Sequence, residues 1–131
     1  MAFFSKFLGD KGVKAYYGVL TELSYSDDSE AFQKVKQMLE KLPPETITKS
    51  LDEGYNPREI AHYYIREFTM NMLISGDYHL TRGKLNPLGP GKDIVRLYNQ
   101  SVDYLVGSNF LSKEEGDSDH TYILECVRDS G

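Results

Sequence analysis

Apolar residues recur at steps of three and four over the first part of the chain, which is the spacing that places side chains on one face of a helix. One stripe covers residues 13–23, and a second covers residues 32–42, after the potential capping residues 26–28. Pro43 and Pro44 end the second stripe, because proline excludes the helical conformation in the residue before it. The stripes consist of Val13, Tyr16, Tyr17, Leu20 and Leu23, of Phe32, Val35, Met38, Leu39 and Leu42, and of a short third pair, Ile47 and Leu51. The pattern therefore predicts three helices, the last of which ends near Gly54.

Residues 56–59 give the clearest helix-start signal in the chain. Asn56 offers a capping oxygen, Pro57 suits the first helical position, and Glu59 stands where a capping box needs a carboxylate. The following residues are apolar over much of the helix circumference, and Gly76 is a favourable end. A helix is predicted between Asn56 and Gly76, at the centre of the fold.

Residues 77–91 show no clean period and contain several turn-forming glycines and prolines. The next apolar stripe starts after Gly91 and closes at Gly107, and its members are Ile94, Val95, Tyr98, Val102, Leu105 and Val106. Residues 121–127 fit either a helix or a strand, and we favour a helix. The predicted fold class is all-α: a single-domain bundle of about five helices with a long ordered loop before the penultimate helix.

Composition restricts the class of protein further. A chain of 131 residues fits one domain, since domains usually hold roughly 100–200 residues. The lone cysteine, Cys126, excludes an internal disulfide, and its apolar neighbours indicate a buried, inert thiol.

No apolar run approaches the roughly 18 residues of a membrane span, and the short apolar start does not resemble a secretory signal. We therefore expect a cytoplasmic protein without membrane contact. The net charge of −5 disfavours nonspecific binding to nucleic acid.

No catalytic set is visible in the sequence. No serine lies in a Gly-x-Ser-x-Gly elbow, and no cofactor or metal site is predicted. Glu59 and His62 have the Glu-x-x-His spacing of di-iron bundles, but neither His79 nor His120 follows a glutamate at that spacing. We interpret Glu59 as a helix cap. The sequence leaves the question of an enzyme open, and the absence of a catalytic set favours a protein without enzymatic activity.

A second hypothesis concerns the loop over residues 77–92. Amides at the start of the following helix, together with nearby side chains, would hold an anion or another small ligand. The candidate ligand-binding residues are His79, Arg82, Lys84 and Lys92. The loop is not a phosphate-binding P-loop, because Asn86 replaces the first glycine and Asp93 stands where that motif requires serine or threonine.

A third hypothesis rests on residues 51–61, which read Leu-Asp-Glu-Gly-Tyr-Asn-Pro-Arg-Glu-Ile-Ala. This segment resembles the first half of the helix-turn-helix in LuxR-type response regulators, which often read Leu, two residues, Gly, then Ser or Asn and Glu-Ile-Ala. The resemblance implies a DNA-binding regulator with a helix-turn-helix-like segment at residues 47–65. That family then needs a tight turn and a polar recognition helix, whereas the apolar pattern here continues through Ile65, Phe68 and Met72. We therefore assign no functional residue of that family to this chain.

The preferred hypothesis rests on tyrosine, which occurs ten times while tryptophan is absent. Two adjacent tyrosines on a helix cannot both face one narrow core, so one of each pair should lie on a second surface. The candidate interaction surface consists of Tyr16, Tyr17, Tyr63 and Tyr64. Since tyrosine is enriched at interfaces, we expect a noncatalytic protein that binds another protein or itself as a homo-oligomer. The acidic residues 110–131 would favour a basic partner.

Overall fold

The computed structural model describes the backbone of residues 2–75, 80–81, 84–85 and 90–129, and the side chains of residues 11–73 and 92–123. Within these ranges the chain forms six helices and one short antiparallel hairpin. The helices are α1 (Ala2–Ser26), α2 (Glu30–Glu40), α3 (Pro44–Asp52), α4 (Pro57–Ser75), α5 (Pro90–Gly107) and α6 (Lys113–Asp129), and the hairpin pairs β1 (Leu80–Thr81) with β2 (Lys84–Leu85). The helical fold class is confirmed, with six helices instead of about five. The hairpin was not predicted.

Two capping boxes define the starts of α4 and α6. At α4, the Glu59 amide donates to Asn56 Oδ1 at 2.8 Å, and the Asn56 amide donates to Glu59 Oε1 at 2.9 Å. At α6, the Glu115 amide donates to Ser112 Oγ at 3.1 Å, and the Ser112 amide donates to Glu115 Oε1 at 3.3 Å. The first box confirms the prediction at Asn56. The second box starts α6, whose extent from Lys113 to Asp129 confirms the helical interpretation of residues 121–127.

The start of α2 differs from the prediction by a few residues. Residues 26–28 are not its caps, because α1 extends to Ser26 and Ser29 takes the N-cap position. Ser29 Oγ accepts a hydrogen bond from the Phe32 amide at 3.1 Å, which satisfies an otherwise unpaired helix amide. The turn between α3 and α4 uses Gly54 at a φ of 98°, a conformation that favours glycine.

The helix α4 packs against each of the other five helices. Its largest interface is with α5, and α1 and α2 cover further sides. This arrangement confirms the predicted central position of the helix over residues 56–76. The buried hydrophobic core is made largely by Tyr16, Leu20, Phe32, Val35, Leu39, Ile47, Ile60, Ile65, Ile94, Tyr98, Val102 and Leu105. Among the described helices, none combines the length and apolarity that crossing a bilayer requires.

Candidate functional site

Tyr16 does not belong to the surface to which the sequence assigned it. Its side chain is fully buried, and its hydroxyl donates a hydrogen bond to the backbone oxygen of Leu39 at 2.9 Å. Burial, followed by the proximity of Tyr17, raises the pKa of Tyr16 well above its ordinary value. Tyr17 stays partly exposed and meets the Tyr16 ring edge-on at 5.4 Å. Only one member of this pair is therefore available to a partner.

Tyr63 and Tyr64 are both half-buried and line an open groove of about 510 Å³. We call it the aromatic groove. It lies where the end of α3, the first turns of α4 and the segment between α5 and α6 meet. Its lining consists of Thr46, Lys49, Ser50, Glu53, Tyr55, Ile60, Tyr63, Tyr64 and Phe110. The structure thus joins the second predicted tyrosine pair to two aromatic residues that the sequence analysis did not single out.

The aromatic rings of the groove pack against one another. Phe110 lies 4.8 Å from Tyr55 and 5.6 Å from Tyr63 between ring centroids, with the ring planes tilted by 50° and 49°. Tyr63 and Tyr64 meet edge-on at 5.0 Å and 85°. These separations are those of favourable aromatic pairs. The cluster leaves much ring surface accessible, since the side chains of Tyr55, Tyr63, Tyr64 and Phe110 are each partly exposed or exposed.

The segment between α5 and α6 presents Phe110 to the groove. Asn109 adopts a positive φ of 65°, which asparagine tolerates better than most residues. The Asn109 amide donates to the Val106 backbone oxygen at 3.1 Å, and the Leu111 amide donates to the Leu105 backbone oxygen at 3.0 Å. These bonds close the end of α5 and hold the chain on either side of Phe110.

Exposed carboxylates flank the aromatic groove. Glu53 lines it, and Lys49 is the only other charged lining residue among the described ones. A second depression of about 310 Å³ begins at Leu111 and includes the exposed Glu114 and Glu115. Arg66 also lines this depression, but its guanidinium donates to both oxygens of Asp119 at 2.9 Å and also pairs with Glu67. The exposed charged side chains at this end of the molecule thus include three carboxylates, Glu53, Glu114 and Glu115, and two lysines, Lys49 and Lys113.

A separate polar contact lies at the interface of α4 and α5. His62 Nδ1 is 3.0 Å from Ser101 Oγ, and the imidazole stacks on Tyr104 at 4.3 Å and 26°. Both His62 and Ser101 are buried, with exposed fractions of 9% and 1%. Burial, followed by the positive charge of Arg58, lowers the pKa of His62 to about 4. The imidazole is therefore neutral at pH 7.

His62 and Ser101 also line a cavity of about 180 Å³, which we call the His62 cavity. It lies between α4, α5 and the end of α1. The remaining lining residues are Leu23, Ser26, Asp27, Phe32, Ile65, Arg96, Leu97 and Gln100. The sequence held a weak signal for this contact: His62 lies three residues before Ile65, and Ser101 lies three after Tyr98 and four before Leu105, so each polar residue shares an apolar face.

The contact between His62 and Ser101 does not have the properties of a catalytic pair. A general base is most effective when its pKa lies near the working pH, and that of His62 lies far below neutrality. Ser101 is in the interior of α5 with almost no exposed surface. Among the described residues, no carboxylate is hydrogen-bonded to the imidazole of His62 to orient it. The pair fits a hydrogen-bonding role inside the fold.

The Glu-x-x-His pair, Glu59 and His62, and the third histidine of the chain, His120, make contacts within the fold. Glu59 caps α4, as interpreted from the sequence, and His62 faces the core. His120 contacts Asn99 Oδ1 through Nδ1 and Asp103 Oδ1 through Nε2, each at 2.8 Å. Within the described part of the chain, no three histidine, cysteine or acidic side chains come together as metal ligands. His79 lies outside the described residues, as does the side chain of Cys126.

The predicted ligand loop is described only in part. His79 and Arg82 lie outside the described residues, and Lys84 is described only as backbone in β2. Lys92 is exposed in the first turn of α5. Lys92 is the one candidate of the four whose side chain the structure describes, so the loop site stays a prediction from sequence.

The helix-turn-helix interpretation lacks its second half. α4 runs unbroken from Pro57 to Ser75, through the positions where the LuxR-type motif needs a turn after Ala61. The apolar residues of α4 beyond Ala61, such as Ile65 and Met72, are buried in the core. This helix therefore does not present the polar face with which a recognition helix contacts a DNA groove. The resemblance over residues 51–61 reflects a shared helix start, namely the capping box at Asn56.

Comparison with known proteins gives no relative, since no family model, curated protein or solved structure matches the chain significantly.

Proposed function

We propose that this chain is a noncatalytic protein-interaction module that binds a partner protein through the aromatic groove. The observation that carries the proposal is the accessible cluster of Tyr55, Tyr63, Tyr64 and Phe110, which three separate segments build around one groove of about 510 Å³. Tyrosine and phenylalanine are enriched in the centres of protein interfaces, where they bury a large area with few rotatable bonds. We take the chain as a single helical domain that acts in the cytoplasm.

The charges around the groove favour a basic partner. Glu53 and Lys49 line the groove, and the start of α6, which follows Phe110 in the chain, adds exposed Glu114 and Glu115 against Lys113. Carboxylates are thus in excess, and the whole chain carries a net charge of −5. Opposite charge on the partner would speed the encounter, and a lysine or arginine side chain would gain further from lying over an aromatic ring face. We therefore expect a partner segment with one aromatic or long aliphatic anchor flanked by basic residues.

The same charges argue against a second copy of the chain as the occupant. A symmetric dimer through this groove would place two copies of a surface with an excess of exposed carboxylates, Glu53, Glu114 and Glu115 against Lys49 and Lys113, in one interface. Like charges that meet across an interface are costly. Self-association, the other half of the sequence-based hypothesis, is therefore the less favoured use of this surface.

A selection from a random peptide library on the immobilised chain tests the proposal. We expect enriched peptides to combine an aromatic or leucine anchor with neighbouring lysine or arginine. Binding of these peptides should fall at least tenfold in Phe110→Ala and Tyr63→Ala, because a central aromatic residue of an interface typically contributes about 2 kcal/mol or more. Tyr25→Ala is the matched control, since Tyr25 is 88% exposed on α1 and does not line the groove.

Two results would contradict the proposal. One is enriched peptides that bind Phe110→Ala, Tyr63→Ala and the intact chain equally well. The other is sedimentation that shows a concentration-dependent dimer of the intact chain and only monomer for Phe110→Ala, which would make a second copy the occupant of the groove.

A further inference from the structure

The His62 cavity is lined by four apolar and six polar or charged residues. Leu23, Phe32, Ile65 and Leu97 contribute the apolar side chains, and the polar ones come from Ser26, Asp27, His62, Arg96, Gln100 and Ser101. A small-molecule site needs apolar surface together with a few fixed polar groups that orient the ligand. The cavity is separate from the aromatic groove, because the two share no lining residue.

One polar atom of the pair is left for a ligand. Nδ1 of His62 is satisfied by Ser101 at 3.0 Å, and no described residue is hydrogen-bonded to Nε2. Among the described residues, no fully enclosed side-chain nitrogen or oxygen lacks a partner, so Nε2 still meets accessible space. The neutral imidazole keeps one nitrogen protonated, and the Ser101 hydroxyl can pair with Nδ1 in either tautomer, as acceptor or as donor. Nε2 can therefore either donate to or accept from a single ligand group.

The two charged residues that line the cavity, Asp27 and Arg96, are paired with each other, and Arg96 also pairs with Asp93 outside the lining. Arg96 Nη1 lies 2.9 Å from Asp27 Oδ2, and Arg96 Nη2 lies 3.1 Å from Asp93 Oδ1. An anionic ligand would compete with these two carboxylates for Arg96, and a cationic ligand would meet the guanidinium. The cavity therefore offers no unpaired charge to an ionic ligand.

We infer that the His62 cavity is a binding site for a small neutral molecule that carries one hydroxyl or carbonyl group on a short apolar frame. The group would hydrogen-bond to Nε2 of His62, and the frame would lie against Phe32, Ile65 and Leu97. A volume of about 180 Å³ equals the share of about six water molecules, so a small ring or branched chain would fill it. A ligand so small binds in the millimolar range.

Nitrogen NMR of the histidine side chains tests this site with cyclopentanol as the probe. Cyclopentylammonium and cyclopentanecarboxylate are the charged counterparts of similar shape. We expect cyclopentanol to move the imidazole nitrogen signals of His62 in a saturable way, which contact with the outer surface would not do. The signals of His120, which is bound to Asn99 and Asp103, should stay in place.

Two exposed glutamines provide a blocking variant and its control. Gln100 is exposed and lines the cavity, so Gln100→Phe should fill the cavity mouth and remove the cyclopentanol effect without disturbing the core. Gln37→Phe, at an exposed position of α2 away from the cavity, should leave the effect unchanged. Absence of any saturable shift at His62, an equal shift in Gln100→Phe, or equal binding of the two charged molecules would each overturn the inference.

Discussion

The ring of Phe110 packs 4.8 Å from the ring of Tyr55, and this contact ties the segment between α5 and α6 to the turn between α3 and α4. Both residues lie between helices, and together they complete the wall of the aromatic groove. The groove is thus shaped by two connecting segments set against a rigid central helix. Binding residues are often found on loops that a stable scaffold holds in position.

The first prediction concerns the stability of the groove. Phe110→Ala should lower the free energy of unfolding by only about 1–2 kcal/mol, because a fully buried phenylalanine costs about 3–5 kcal/mol and Phe110 is only partly buried. Urea denaturation monitored by circular dichroism measures the change. Tyr25→Ala, at an exposed position, should stay within about 0.5 kcal/mol. A loss of 4 kcal/mol or more for Phe110→Ala, on the order of a core deletion, would mean that Phe110 belongs to the core and not to a binding surface.

The second prediction concerns the charges that flank the groove. Glu53→Lys and Glu114→Lys should slow the association of a basic groove-binding peptide and weaken its dependence on salt, because rim charges act mainly on the encounter rate. Stopped-flow or surface-plasmon measurements at low and high salt would show this. Asp28→Lys makes the same change of charge at an exposed position between α1 and α2 and should have a smaller effect. Equal effects of all three reversals would show that only the net charge matters.

The third prediction concerns pH and His62. Burial and Arg58 lower the pKa of His62 to about 4 from an ordinary 6.5, so the folded state binds this proton less readily than the unfolded chain. The stability linked to His62 is complete above about pH 6.5 and is lost as the pH falls towards 4, by about 3 kcal/mol in total. Unfolding free energies measured between pH 7 and about 4.5 should therefore fall more steeply for the intact chain than for His62→Phe. Parallel curves for the two proteins would contradict the assignment.

The fourth prediction uses two glycines in helices. A Cβ atom at Gly116 would clash with a methyl group of Val106, where α6 and α5 approach closely. Gly116→Ala should therefore destabilise the chain by about 1–3 kcal/mol. A Cβ atom at Gly18, in α1, meets nothing within 4 Å, so Gly18→Ala should stabilise it by about 0.5–1 kcal/mol through helix propensity. Thermal unfolding of both variants checks the opposite signs, and the same sign in both would show that the packing of α6 on α5 is wrong.

The fifth prediction concerns the pairing of Arg66 with Asp119, which joins α4 to α6. Each side chain is 17% exposed, and two hydrogen bonds of 2.9 Å connect them. Asp119→Ala should lower the unfolding free energy by about 2–3 kcal/mol, because it leaves a largely buried guanidinium with one partner fewer. The double variant Arg66→Met, Asp119→Leu should recover part of that loss. Urea denaturation measures the stability of the two variants. A change of less than about 0.5 kcal/mol for Asp119→Ala would show that the ion pair contributes little to the stability of the fold.

The sequence predicted those parts of the fold that depend on residues close together along the chain. The capping box at Asn56 and Glu59, the stop at Pro43 and the central helix all follow from steps of three or four residues. The capping box at Ser112 and Glu115 obeys the same rule and could have been found in the same way. The local pattern of residues 121–127 fits both a helix and a strand, and in the structure these residues continue α6.

The candidate site was predictable only in part, because it depends on contacts between distant segments. The sequence indicated that one tyrosine of each adjacent pair faces outwards, but only the packing of α1 on α2 decides that Tyr16 is buried and Tyr17 is not. The approach of Phe110 to Tyr63 depends on how α5 ends and crosses α4, which no local pattern specifies. The contact of His62 with Ser101 depends likewise on the alignment of α4 with α5.

Aromatic and backbone NMR during titration with a selected groove-binding peptide tests the central proposal most directly. We expect the largest shifts at Tyr55, Tyr63, Tyr64 and Phe110, smaller ones at Glu53 and Glu114, and none at Tyr25. Shifts that centre on another surface, such as the exposed Tyr25 or Tyr122, while the four groove rings keep their signals unchanged, would contradict it.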